Sequence, residues 1–247
     1  MSKIAGKTSA EAKANGFHSI DYIKITILGF GLSALWASFH TIILQVRVEE
    51  LVPKLLKNTY LGYLTFTGAI IAMATQPIAG AISDRSGFAW GRRRPFILLG
   101  TILALLFLPG IGSSNSYTAI LIFYCLIQIS TNTAQGPFQA FIPDLVPEGK
   151  RGIASGVRSL LNIAGGAVLI GVIGRFLGHY SAGEGSSWLW LSLGMLAIVL
   201  LGVMLVTILT VKERPGVGGS QLPLLSTLPK SFKIDVKAHP DFILFLV

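Results

Sequence analysis

The sequence predicts an all-α membrane protein with six transmembrane helices and the start of a seventh, and three observations carry that prediction. Of the 247 residues 52% are hydrophobic and only 13% are charged, with a mean hydropathy of +0.68. One soluble core of this length cannot hide so much apolar surface. Six stretches reach the roughly 20 residues that cross hydrocarbon as a helix. The basic residues between them are distributed unevenly.

Residues 1–21 are polar and contain no apolar run, so they read as a cytoplasmic N-terminal segment without a cleavable leader, the first span serving as its own insertion signal. The spans are expected at 22–45, 59–82, 95–112, 117–141, 153–177 and 188–211, which together make a membrane bundle over 22–211. KERPGVGGSQLPLLSTLPKSFKIDVKAHP follows, rich in Pro, Gly and Ser, and reads as a cytoplasmic linker over 212–240. DFILFLV, residues 241–247, begins another span and is too short to cross anything. The chain therefore reads as half of a longer protein, or as a cut one. The single cysteine, Cys125, excludes an intramolecular disulfide and is expected to pack within the fourth span.

With a cytoplasmic N-terminus, the outer loops hold only Arg47, Lys54, Lys57 and Arg175 of the 20 Lys and Arg residues. The positive-inside rule is satisfied in that orientation and violated in the other. The net charge of +9 is thus mainly a topology signal. Nucleic acid is not an expected partner, because the basic residues lie in short loops and form no aromatic-interleaved face.

The fourth span carries four carboxamides, Gln128, Asn132, Gln135 and Gln139. At 100° per residue they fall within a sector about 60° wide, forming one polar stripe. Amides facing lipid are costly, so the stripe is expected to face other helices or a wet cavity. Interhelical hydrogen bonding explains any one of them. Four on one face, beside Gly136 and Pro137, point to a cavity wall, where proline frees a carbonyl. In the first span Trp36 and His40 share a face four residues apart. Two readings stay open for His40, a satisfied neutral imidazole near the outer end and a cavity group. If the spans form two inverted triplets, the first and fourth are equivalents lining one midplane site.

The loop between the second and third spans, QPIAGAISDRSGFAWGRRRPFILLG, brings Gly80, Asp84 and Arg85 to the end of one helix and Gly91, Arg92, Arg93 and Arg94 to the start of the next. It resembles the signature loop of the major facilitator superfamily, and more narrowly its sucrose transporter and glycoside-pentoside-hexuronide branch, on the run SDR, five residues, then GRRRPFI, preceded by Gln76, Pro77 and Gly80. Glycine permits close helix approach, while Asp and Arg pair across helix ends. Arg93 and Arg94 are accounted for by topology alone. The fourth span extends the resemblance with Asn132, Gln135, Gly136, Pro137, Asp144 and Leu145. It departs at Gln128, where plant sucrose transporters have the Asp thought to carry the proton, and at Gln139, where they have Arg. Losing both charges together is coherent, since one alone would stand unpaired. The resemblance implies the N-terminal half of that fold and a cytoplasmic gate made by Gly80, Asp84, Arg85, Gly91, Arg92, Asp144 and Arg151. Arg158 is expected to snorkel or to join it. The glycines of the fifth span offer a close-contact surface for a helix of the second half.

The expected function is transmembrane transport of a small polar solute, a sugar or glycoside, by alternating access as half of such a transporter. Trp36, His40, Gln128, Asn132, Gln135 and Gln139 are the expected solute-binding residues. The expected partners are the lipid bilayer and the missing half, a second copy or a larger membrane complex. The alternative is a non-transporting membrane subunit, a scaffold or pigment-assembly partner. An enzyme is the least expected class, because no Ser, His and acid set, no metal-ligand cluster among the four histidines and no phosphate-binding loop is present. No cofactor is expected.

Overall fold

The computed structural model describes residues 17–213. The expected linker beyond Glu213 and the start of a seventh helix lie outside the described residues, as do residues 1–16. Within 17–213 the chain forms six helical spans long and apolar enough to cross a membrane: Leu28–Leu51, Lys54–Arg85, Arg94–Ser113, Tyr117–Leu145, Glu148–Ser181 and Ser187–Thr210. Each expected span is found, and the first, second and fifth run several residues past their expected outer ends. Those extra turns carry Glu49 and Glu50 in the first span, Lys54 and Lys57 in the second and His179 in the fifth, polar groups that hydropathy excludes and helix geometry tolerates.

Local chemistry sets the boundaries. A short helix, Ser19–Thr26, precedes the first span, and the Asp21 carboxylate accepts the His18 backbone N–H at 2.9 Å. That bond, with Lys24 at 3.0 Å, holds the Asp21 carboxyl below the usual carboxylate range. The first span is interrupted by a π-helical turn at Phe39–Ile43, and it ends at extended Val52 before Pro53. Pro95 begins the third span, where a missing N–H costs nothing. Pro77, Pro109 and Pro137 lie inside helices. The fourth span breaks at Ala140, whose backbone N–H donates to the Pro137 carbonyl at 3.3 Å, and resumes as Phe141–Leu145. Gly91 has φ +125, and a side chain there would run into Glu213.

Glycine decides which helices approach closely. A Cβ on Gly100 of the third span would meet the Ser130 backbone and Ala134 of the fourth. On Gly136 it would meet the Gln76 carbonyl and, at 3.1 Å, the Gly80 nitrogen of the second span. On Gly165 it would meet the Phe30 backbone of the first. The third and fourth, first and fifth, and second and fourth spans are accordingly the close pairs, and the sixth span closes against the third, first and fifth. The fifth-span glycines therefore divide between two faces. Gly165, Gly166 and Gly174 pack on the first span, whereas Gly152, Gly156, Gly171 and Gly178 have nothing within 4 Å of a would-be side chain among the described residues. Met73, Leu106, Ile163 and Leu209 are among the large apolar side chains on the outside, as lipid requires.

At the end of the bundle where the third span terminates, buried Arg47 ties three spans together. Its guanidinium donates to the carbonyls of Ile111 at 3.3 Å and Ser114 at 2.5 Å, pairs with Glu50 and reaches the Tyr180 hydroxyl at 3.4 Å. These carbonyls are orphans of a helix C-terminus, which a cation satisfies and stabilises. The sequence reading placed Arg47 in an outer loop; the structure gives it a fixed role in packing.

Candidate functional site

The expected polar stripe does not behave as one unit. Gln128 and Asn132 are buried and bonded to each other: the Asn132 amide donates to the Gln128 side chain at 2.9 Å and to the Gln128 backbone carbonyl at 2.8 Å. Gln128 in turn donates to the Tyr124 hydroxyl at 3.0 Å, and that hydroxyl lies 3.0 Å from Nε2 of His40. Gly68 of the second span closes over Tyr124 and Gln128, leaving no room for a side chain. The result is a connected polar ladder, His40, Tyr124, Gln128, Asn132, running from the first span into the fourth. Trp36 stands beside it, its ring 5.3 Å from His40 and 6.0 Å from Tyr124. The π-helical turn carries His40 towards the fourth span, and such turns recur where helices present functional groups. Tyr124 escaped the sequence reading because a tyrosine in an apolar run reads as packing. Its position four residues before Gln128, on the stripe, was the available signal.

Gln135 lies elsewhere. It lines a cavity of ≈ 110 Å³ together with Gly29, Ser33 and Trp36 of the first span, Phe138 of the fourth and Arg158 and Asn162 of the fifth. Gln139 is exposed beyond it. Residues of the first and fourth spans line this cavity together, and the stripe divides into a bonded pair, one cavity residue and one exposed residue.

At the other end, Arg93 is the hub of a charge cluster. Only 4% exposed, it pairs with Asp84 at the end of the second span at 2.9 Å and with Asp144 at the end of the fourth at 2.6 Å, and it donates to the Pro137 carbonyl at 3.2 Å. Arg92 pairs with the same Asp144 at 2.5 Å, which holds its guanidinium more firmly protonated against the opposing effect of burial. The carboxylate of Glu213 accepts the backbone N–H groups of Arg93 at 3.0 Å and Arg94 at 3.1 Å, capping the third helix. Topology alone does not account for Arg93: a guanidinium this buried needs its two carboxylates. Glu213, which falls in the expected linker, is part of the cluster. Arg151 stands apart from the expected network, donating to the carbonyls of Pro143 at 2.8 Å and Val146 at 3.3 Å. Pro143 lies in the last turn of the fourth span and Val146 caps it, so Arg151 braces the connection between the fourth and fifth spans. Gly80 and Gly91 serve geometrically, the first at the Gly136 crossing and the second in the loop turn.

Residues 23–234 match the MFS/sugar transport protein family. The chain belongs to that family. Among individual relatives of this sugar-transport-family chain, it is 28% identical over 214 residues to the Sucrose transport protein SUT1 of Oryza sativa subsp. japonica, covering 70% of the chain and 38% of that protein. It is 26% identical to the Sucrose transport protein SUC3 of Arabidopsis thaliana, covering 54% and 24%. It is 28% identical to Solute carrier family 45 member 4 of Mus musculus, covering 51% and 17%. The chain thus spans little more than a third of the length of the rice relative. The family match and the six apolar helices make it an integral membrane protein of the sugar-transport type, with the helix arrangement of an N-terminal half.

Proposed function

We propose that this chain forms the N-terminal bundle of a transporter for a sugar or glycoside, working by alternating access with a second bundle supplied by a missing half or a paired copy. The observation that carries the proposal is the polar interior shared by the first and fourth spans, with the ladder from His40 to Asn132 and the Gln135 cavity lying between apolar walls. Lipid-facing surface has no use for such groups, and a solute crossing the midplane does. The glycine face left open at Gly152, Gly156, Gly171 and Gly178 offers the second bundle a close approach.

The gate of this reading is the Arg93 cluster. It clamps the ends of the second, third and fourth spans together, so releasing it opens that end. In the proposed orientation, with the N-terminus cytoplasmic, the clamp is on the cytoplasmic side and stabilises the outward-facing state. Trp36, His40 and Gln135 are the solute contacts; Gln128 and Asn132 position Tyr124 and His40. Because Gln128 is neutral and already bonded, proton coupling through the fourth span is not part of the proposal.

A second reading, a non-transporting membrane subunit, is favoured by one observation: Asn132 donates to Gln128 and Gln128 to Tyr124, so these amides are already engaged within the bundle. Purification from native membranes and uptake of radiolabelled glycosides into reconstituted vesicles separates the two. Saturable uptake supports transport. Co-migration with a large complex, together with no uptake, discards it.

A further inference from the structure

We propose that the cavity between the first, fourth and fifth spans binds a monovalent inorganic anion of halide size, chloride above all, held by Arg158 within a shell of hydrogen-bond donors. The inference goes beyond the transport reading and does not depend on it, because Arg158 needs a counter-charge whether or not a solute crosses.

Three helices bring donors to one place. Ser33 lines the cavity from the first span, Gln135 from the fourth, and Arg158 and Asn162, one turn apart, from the fifth. All four are half-buried, and none makes a side-chain hydrogen bond or ion pair among the described residues. Hydroxyls elsewhere in the spans do not behave this way: Ser130, Thr131, Ser192 and Thr207 each donate to the carbonyl four residues back. The guanidinium carbon of Arg158 lies 4.9 Å from the ring of Phe138, and a ring face attracts a cation without replacing an anion. Arg93 and Arg47, by contrast, are answered by carboxylates, the first by Asp84 and Asp144 and the second by Glu50.

The chemistry of this shell selects a negatively charged acceptor. No acidic side chain is among the lining residues. A guanidinium only donates, and the Ser33 hydroxyl and the Gln135 amide each have an O–H or N–H to give. Asn162 holds its buried Oδ1 against Gly29, where a side chain would collide with it, so the N–H groups are the end of that amide left to the cavity. Donors around an anion form charge-assisted bonds, which are stronger than those to a neutral acceptor. One guanidinium balances one negative charge, and the second charge of a sulfate would stand unpaired in the bundle. Size agrees with charge. The cavity measures ≈ 110 Å³, so a monatomic anion leaves room for a few waters, each about 30 Å³ of liquid, to complete its shell.

The test is equilibrium binding of radiolabelled chloride to the purified chain in nanodiscs of phosphatidylcholine, where no anionic lipid competes, with sulfate as the buffer anion. A saturable single-site isotherm is expected, and chloride is expected to raise the thermal midpoint as a ligand of the folded chain does. Arg158→Gln is expected to weaken chloride binding about tenfold or more, the scale of a charge-assisted hydrogen bond, and to remove the chloride effect on the midpoint. Arg158→Lys, which keeps the charge, is expected to recover part of the binding. Lys57→Gln deletes a cation that pairs with Glu49 outside the cavity and is expected to bind chloride as the parent does. Gln135→Glu hands Arg158 an internal carboxylate and is expected to exclude chloride, which keeps the test decisive where Arg158→Gln fails to fold. No saturable binding by a chain of native helix content overturns the site, and so does binding that survives either Arg158→Gln or Gln135→Glu. An equal loss in Lys57→Gln overturns it in favour of general attraction between a basic chain and anions. Displacement of chloride by sulfate overturns the preference for one charge. None of these outcomes bears on the transport reading, which vesicle uptake decides separately.

Discussion

Arg93 and Arg94 are neighbours in sequence with different work. Arg94 reaches the Trp90 carbonyl at 3.1 Å and the Ile208 carbonyl, tying the loop to the sixth span, while Arg93 alone bridges two carboxylates. Removing Arg93 leaves Asp144 with Arg92 and leaves the Pro137 carbonyl with only the Ala140 N–H, at 3.3 Å. Arg93→Gln is therefore expected to lower unfolding stability by about 1–3 kcal/mol, discounted because Asp84 is half exposed. Arg93→Lys, which reaches only one partner at a time, should recover part of it. Thermal unfolding in detergent measures both. Arg47 makes the same kind of statement at the opposite end. Arg47→Met keeps the stem and deletes the head, so the orphaned carbonyls of Ile111 and Ser114 are expected to cost about 2 kcal/mol in the same assay. A loss below a few tenths of a kcal/mol would show that the guanidinium is ornamental to stability.

At the scale of elements, the helix crossings rest on single missing side chains. Gly136 and Gly165 each face backbone that has no flexible end to yield. Gly165→Leu is expected to part the first and fifth spans and, by overpacking, to destabilise the bundle by about 1–3 kcal/mol. Gly152→Leu, on the open face, is expected to cost far less in the isolated chain, and the contrast between the two thermal midpoints is the measurement. The helix Ser19–Thr26 has its own condition. The folded pKa of Asp21 is depressed, so its contribution is present at neutral pH, above the unfolded value, and is lost as pH falls through the folded value. Protection factors of the Tyr22 to Ile25 amides, corrected for intrinsic exchange at each pH, should fall on acidification through that range, and Asp21→Asn should flatten that fall.

For the whole molecule, the proposed gate predicts a change of population. Asp84→Asn combined with Asp144→Asn removes both carboxylates from Arg93, so the clamped arrangement loses stability relative to the open one. Cysteines placed at Ile82 and Ile142 are expected to react faster with a membrane-impermeant reagent applied at the Arg93 end. Unchanged reactivity, with unchanged transport, would remove the gate from the proposal. The ladder end of the molecule is the control, since labelling at Gln45 should respond in the opposite sense if the two ends alternate.

The sequence by itself determined that six helices cross the membrane, because transfer of apolar runs into hydrocarbon depends on composition and length. It also located the loop with Asp84 and Arg92, since glycine, acid and base clustered at helix ends leave few alternatives. Periodicity placed Gln128, Asn132, Gln135 and Gln139 on one side of the fourth helix. Only the tertiary structure decided what the stripe faces: Gly68 covers Gln128, the cavity receives Gln135, and Gln139 passes beyond both. It likewise decided that Arg93, and neither Arg94 nor Arg151, holds both carboxylates, and that Arg158 meets a ring. A helix's own period says which residues share a side. Which neighbour lies on that side depends on how distant segments cross, and those crossings are set by contacts between residues far apart in the chain.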